Sequence, residues 1–171
     1  MVDNKYGKYV IREPIYKGRY APTLHICGEK HQCGDKPCAG ASFPGFPAEQ
    51  TLMCITEPFK MNAQPHAHDY DQLLYFIGGD PQNFFDFGAV VEISLGEEGE
   101  IHIINTTTVV YVPKGIMHCP INFKKVDRPI IFTHICFASE YARSKGEMTS
   151  HPRAYEIYSP DEIRKFRGNS F

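Results

Sequence analysis

Fourteen glycines and thirteen prolines cut this chain of 171 residues into short apolar segments, and that punctuation constrains the fold more than any other feature of the sequence. Glycine and proline each weaken a helix interior, by about 1 and about 3 kcal/mol relative to alanine. A chain broken this often therefore predicts many short strands and few helices. The segments between the breaks agree. Thr51 to Ile55, His66 to Phe76, Ala89 to Leu95, Glu100 to Ile104, Val109 to Val112 and Ile130 to Phe137 are each rich in β-branched or aromatic residues, the side chains that fit a pleated, half-buried surface. The expected fold class is all-β. One short helix is expected near the end, where Ser159-Pro160-Asp161-Glu162 matches a capping box with proline at the first helical position. The stretch from Ala21 to Pro47 packs glycines, prolines and cysteines together with neither helical nor strand period, and reads as an irregular arm.

Bulk properties narrow the function classes. With 18 Lys+Arg against 20 Asp+Glu, the formal charge of -2 provides no net pull towards nucleic acid or acidic membranes, and no run of five or six like charges provides one locally. The opening MVDNKYGKYVIREP lacks the apolar run of a signal peptide or a membrane span, so the expectation is a soluble cytoplasmic protein with neither a nucleic-acid nor a membrane partner. In that setting the six cysteines read as reduced thiols rather than a disulfide framework.

Chemistry enters with the histidines. In His66-Ala67-His68 a strand period of two points both imidazoles to one face, about 6 to 7 Å apart along the chain, which is a spacing a metal ion can bridge. Taken alone, the pair is as readily two surface histidines on an edge strand. Continuing the same parity brings Gln72 to the histidine face and sends Asp69 and Asp71 to the other, so Gln72 is the better fourth ligand if no bulge intervenes. Downstream, Val109 to Val112 runs into the turn Pro113-Lys114-Gly115, which can deliver His118 to the same centre.

The sequence here resembles the cupin superfamily. HAHDYDQLLYFIGG follows the family's first motif, with Gln72 in the place usually held by glutamate and Gly79 at the motif's glycine, and PKGIMHCPIN, from Pro113 to Asn122, follows the second in full. The resemblance implies an antiparallel jelly-roll β-barrel with a metal in its mouth, held by His66, His68 and His118. On that frame the expected organisation is one domain, with residues 1–50 an arm packed on the barrel, 51–140 the barrel core and 141–171 an extension with the short helix. Imidazoles suit Zn, Fe or Ni, and Mn is possible. Gln72 in place of glutamate removes a negative charge, which predicts a stronger Lewis acid with a preference for anionic substrates or hydroxide, and it removes a carboxylate base beside the metal.

Other residues carry weaker expectations. His134 lies in an otherwise apolar strand, where it is either a satisfied core histidine or, if that strand closes the mouth, a general acid or base. Glu92 alternates with apolar neighbours and belongs to a solvent face unless that face is the cavity, where it could replace the missing carboxylate. His102 reads as surface, and Cys119 and Cys136 as small buried apolar residues. The set His25, Cys27, His31, Cys33 and Cys38 suits zinc by residue type but not by spacing. The functional expectation is a metal-dependent enzyme (dioxygenase, lyase or isomerase type) acting on a small oxygen-bearing molecule chelated to one divalent transition metal, the alternative being a binding module without turnover. Open sheet edges of a jelly roll also predict a homodimer.

Overall fold

A computed structural model describes residues 6–12, 15–17, 22–28, 32–33, 36–37, 41–61, 64–139, 143–146 and 157–167. Strands dominate these residues: β1 (Ile15–Lys17), β2 (Pro22–Cys27), β3 (Gln32–Cys33), β4 (Lys36–Pro37), β5 (Ala41–Ser42), β6 (Glu49–Ile55), β7 (Phe59–Met61), β8 (Gln72–Gly78), β9 (Ala89–Leu95), β10 (Glu100–Ile104), β11 (Thr108–Val112), β12 (His118–Val126) and β13 (Ile130–Cys136). A single described α-helix, α1, covers Pro160–Arg167. Its cap is the box expected: Ser159 N–H donates to Glu162 Oε2 at 2.8 Å while Glu162 N–H donates to Ser159 Oγ at 3.2 Å. It is too short to cross a membrane, as is every described helix.

The strand order is that of a jelly roll. The larger sheet runs β1-β2-β6-β13-β8-β11 and the smaller β10-β9-β12-β7. From β6 onward the chain passes from one sheet to the other at every connection except the β9–β10 hairpin, so β6, β13, β8 and β11 face β7, β12, β9 and β10. This is the double Greek key of an eight-stranded jelly roll. Alternation on each strand builds the core between the sheets. Met53 and Ile55 from β6, Phe76 from β8 and Phe132 from β13 meet Val91 and Ile93 from β9 and Ile121 and Phe123 from β12. Phe123 bridges the two layers, its ring 6.4 Å from that of Phe76 and 5.8 Å from that of Phe132. Each of these fully buried rings contributes roughly 1.5–3 kcal/mol relative to exposure.

Two expectations are corrected. Pro22–Cys27 is not irregular: β2 pairs antiparallel with β6 over Thr23 to Ile26 and extends the larger sheet. Its alternation is hidden because the residues sharing a face with Thr51 are polar, Thr23 and His25, while Leu24 and Ile26 face the other way. Nor is His66 to Phe76 one strand. His66 and Ala67 make only isolated bridges, and the regular ladder begins at Gln72. Between them Asp71 takes up turn duties, its side chain accepting from Lys114 N–H at 2.8 Å and its carbonyl from Phe137 N–H at 3.1 Å.

Candidate metal centre

His66 and His118 meet through the backbone before their side chains meet. His66 N–H donates to His118 O at 3.0 Å and His118 N–H returns the bond to His66 O at 2.9 Å, a reciprocal antiparallel pair that puts both side chains on one face. The second motif is held in place by its turn. Ile116 N–H closes on Pro113 O at 3.1 Å, Gly115 takes φ +80 at the third position, and Gly115 N–H donates to His68 O at 2.8 Å. That positive φ at the third residue is what a type II turn requires, and it explains the glycine of PKG. A bulge in β12 between His118 and Ile121 then re-aims the start of the strand.

The outcome is a closed triangle of imidazoles. Ring centroids lie 4.5 Å apart for His66 and His118, 5.0 Å for His66 and His68, and 5.2 Å for His68 and His118. One ring nitrogen of each falls within 4.8 Å of the others. All three are buried, at 1, 2 and 4% exposure for His66, His68 and His118. Two tautomers follow from chemistry. His66 Nδ1 faces Gln64 O at 3.2 Å and His118 Nδ1 faces Ile116 O at 3.2 Å, and since a carbonyl only accepts, each Nδ1 carries the proton and leaves Nε2 with its lone pair. His68 is fixed differently, stacked on Tyr70 at 4.8 Å and 18°.

Burial and neighbouring charge keep His66 and His118 neutral. Burial, with the neighbouring His118 and Arg143, lowers His66 to about 3. Burial lowers His118 to about 4, against the Ile116 carbonyl that favours its protonated form. Neutral imidazole is the form that binds a metal ion. Arg143, absent from any sequence motif, brings a guanidinium close enough to act on both histidines. It arrives on the segment 143–146, whose Lys145 pairs with Ala67, with Ala67 N–H donating to Lys145 O at 3.1 Å.

Gln72 is 3% exposed and on the inner face, opposite Cys136 and Val112. The parity argument that selected it does not hold, since the strand is interrupted before it. Its Nε2 donates to Cys136 Sγ at 3.0 Å, and its buried Oε1 has no hydrogen-bond partner among the described residues. A buried amide oxygen without a donor costs on the order of 1–3 kcal/mol, and a cation is one way to satisfy it. Three imidazoles and one such oxygen fit a divalent transition metal.

Other sequence candidates fall elsewhere. His134 lies beside Glu49, Nε2 to Oε1 at 3.3 Å. Burial works against its charged form, but the Glu49 carboxylate outweighs it and raises His134 well above its ordinary value. Glu92 points to the face of β9 opposite the buried Val91 and Ile93, on the same sheet face as Asn122, its cross-strand partner, with Lys124 Nζ at 3.5 Å from its carboxylate. His102 is on the surface beside Glu100. Of the histidine and cysteine set of the arm, His25 binds into the Glu49 and Thr51 network, Cys27 is buried as a thiol, and His31, Cys38 and the Cys33 side chain lie outside the described residues. Glu49 and Arg143 were missed because neither sits in a motif. Only strand pairing and a late crossing segment bring them inward.

No family model matches the sequence, and no curated protein matches it. Among solved structures, the chain aligns with plu4264 from Photorhabdus luminescens at 13% identity, covering 74% of this chain and 86% of that one with a TM-score of 0.43. KdgF from Halomonas sp. aligns at 14% identity over 70% of this chain and 84% of that one, with a TM-score of 0.40. Bacillus subtilis oxalate decarboxylase, described for its Mn(II) centres, aligns at 15% identity over 56% of this chain with a TM-score of 0.38. The chain spans 22% of the length of that decarboxylase and 42% of that of FeII HppE. The jelly-roll assignment rests on the strand order above and not on these alignments.

Proposed function

We propose that this protein is a metal-dependent enzyme that takes one divalent transition metal ion on His66, His68 and His118, with Gln72 as fourth ligand, and acts on a small oxygen-bearing organic anion. The observation that carries the reading is the convergence of three buried imidazoles, of which His66 and His118 are held neutral by burial and by the positive charge of Arg143. Iron, zinc, manganese and nickel all suit the donor set. When bound, the ion supplies a Lewis acid whose charge the protein's neutral ligands leave uncompensated. The chain's own part is then to bind and orient. Arg143 provides a second positive group for a carboxylate or similar oxyanion. The Nδ1–H bonds to Gln64 O and Ile116 O lock two ring orientations, so that no rotamer search accompanies loading. Burial of the rings themselves, at 1, 2 and 4% exposure for His66, His68 and His118, limits bulk water at the site.

The test begins with metal content. Protein purified without a metal-affinity tag, with His66→Ala and His118→Ala beside it, is measured by plasma mass spectrometry. About one transition-metal ion on this site, lost in both variants, supports the centre. Wild-type protein that neither holds nor accepts metal there ends the proposal. The enzyme is then separated from a binding module by incubating the loaded protein with a panel of small carboxylates, in air and without it, and following substrate loss. Binding without turnover, weakened by Arg143→Gln, identifies the module.

A further inference from the structure

We propose that Glu49, His134 and Cys136 form a second metal site, distinct from the three-histidine centre, that takes a thiophilic divalent cation of the zinc type. The site is made by register. β6 and β13 pair antiparallel with Glu49 opposite Cys136 and Thr51 opposite His134, so all four side chains share the inner face. The carboxylate oxygen, ring nitrogen and thiol sulfur lie within 4.8 Å of one another. Glu49 is 3% exposed and Cys136 0%, while the His134 side chain is 19% exposed. The next residues along the same faces are Met53 and Phe132, so this is a polar cluster set against an apolar core.

Burying a carboxylate, an imidazole and a thiol together is costly unless they are paired or coordinate a metal. A dication with one thiolate, one carboxylate and one neutral imidazole is charge-balanced, and converging sulfur, nitrogen and oxygen donors are those zinc takes. The donors also have outer partners already in place. Gln72 Nε2–H donates to Cys136 Sγ at 3.0 Å, a contact that favours thiolate. On the other flank Thr51 Oγ1–H donates to Glu49 Oε1 at 3.4 Å and His25 Nδ1 lies 3.5 Å from the same oxygen. Metal ligands characteristically carry such second contacts. Loading displaces the thiol proton of Cys136 and the proton that His134 shares with Glu49, so uptake releases about two protons per ion. His134 is then a ligand, not the acid or base expected from sequence. The competing arrangement is a His134–Glu49 ion pair at 3.3 Å closed on itself, which takes no metal.

Cobalt(II) separates the two. Chelator-treated full-length protein is titrated with cobalt, following the near-ultraviolet thiolate-to-cobalt charge-transfer band and the number of ions bound. The wild type is expected to take two, one of them with the band. Cys136→Ser is expected to lose the band and one ion and keep the other, and Glu49→Gln to weaken the band-forming ion at least tenfold. His118→Ala is expected to keep the band and lose the other ion. A wild type without the band, or a band that survives Cys136→Ser, overturns the second site. Unchanged cobalt uptake in His118→Ala instead counts against the three-histidine centre alone, so the two readings fail separately.

Discussion

Gly146 is the residue on which the crossing segment depends, and Gly146→Ala tests that dependence. Its backbone sits at φ +90, and a β-carbon there would lie 2.8 Å from Pro65 O and 2.9 Å from His66 Cβ. The left-handed conformation costs an alanine about 1–2 kcal/mol. Contacts under 3 Å against a backbone carbonyl force a shift worth a further 1–3 kcal/mol or so. Against this, alanine lowers the entropy of the unfolded chain by about 0.4–1 kcal/mol. The net loss is about 2–4 kcal/mol, which in a chain of this length lowers the melting temperature by roughly 5–15 °C. Because one of the two atoms within 3 Å is the β-carbon of His66, metal affinity is expected to fall as well, by about 10–100-fold, as when a ligand loses its support. The assays are urea denaturation of chelator-treated protein and competition for metal with a chromophoric chelator. Gly146→Asn, which tolerates the left-handed region better, should recover only the conformational share. Wild-type stability and affinity in Gly146→Ala would refute the seating of residues 143–146 against His66.

Four further outcomes are expected. In metal-free protein His66 and His118 have folded values of about 3 and about 4 against an ordinary 6.5, so the unfolded chain takes up protons first; the stability they contribute is full above pH 6.5 and falls as pH drops, by roughly 1 kcal/mol per histidine per unit below pH 6, and denaturation of His118→Ala should show about half that slope. His134 has the opposite sign, since a raised value contributes fully below 6.5 and loses that stability as pH rises through it, so His134→Gln should flatten the alkaline limb of the same profile. Gln72→Glu is expected to tighten metal binding by restoring a charged ligand, and weaker binding in a competition assay would remove Gln72 from the set of ligands. Phe132→Ala, 1% exposed and with its ring 5.0 Å from Phe76, should cost about 3–5 kcal/mol in urea denaturation.

Where a strand has one apolar face and one mixed face, its bounds were legible from sequence. β9 begins and ends at the residues expected, because Ala89, Val91 and Ile93 point inward between partly exposed neighbours; β10 does so too, although only Ile104 of it is buried. β12 was legible only at its start, after the turn that delivers His118; the strand carries Pro120, Lys124 and Lys125 and shifts register between His118 and Ile121 and again between Phe123 and Lys125. β2 was lost for the reverse reason, a polar inner face. The convergence of His66, His68 and His118 was legible because two of them are neighbours and the third follows a turn whose glycine has a conformational reason. Gln72 was chosen by a parity that the chain interrupts, and it is buried on the inner face through β8's pairing instead.

Glu49 had no such local signal, since its partner His134 is 85 residues away and only the β6–β13 register, which sets Glu49 opposite Cys136 and His134 opposite Thr51, brings the two together. Register is an all-or-none property of a ladder, because a slip of one residue sends every side chain to the opposite face. The same pairing that puts Met53 and Phe132 into the core therefore also commits Glu49, His134 and Cys136 to the interior. Apolar burial at one end of these two strands stabilises the pairing, and that pairing holds a charged cluster at the other end that no local sequence preference would have buried.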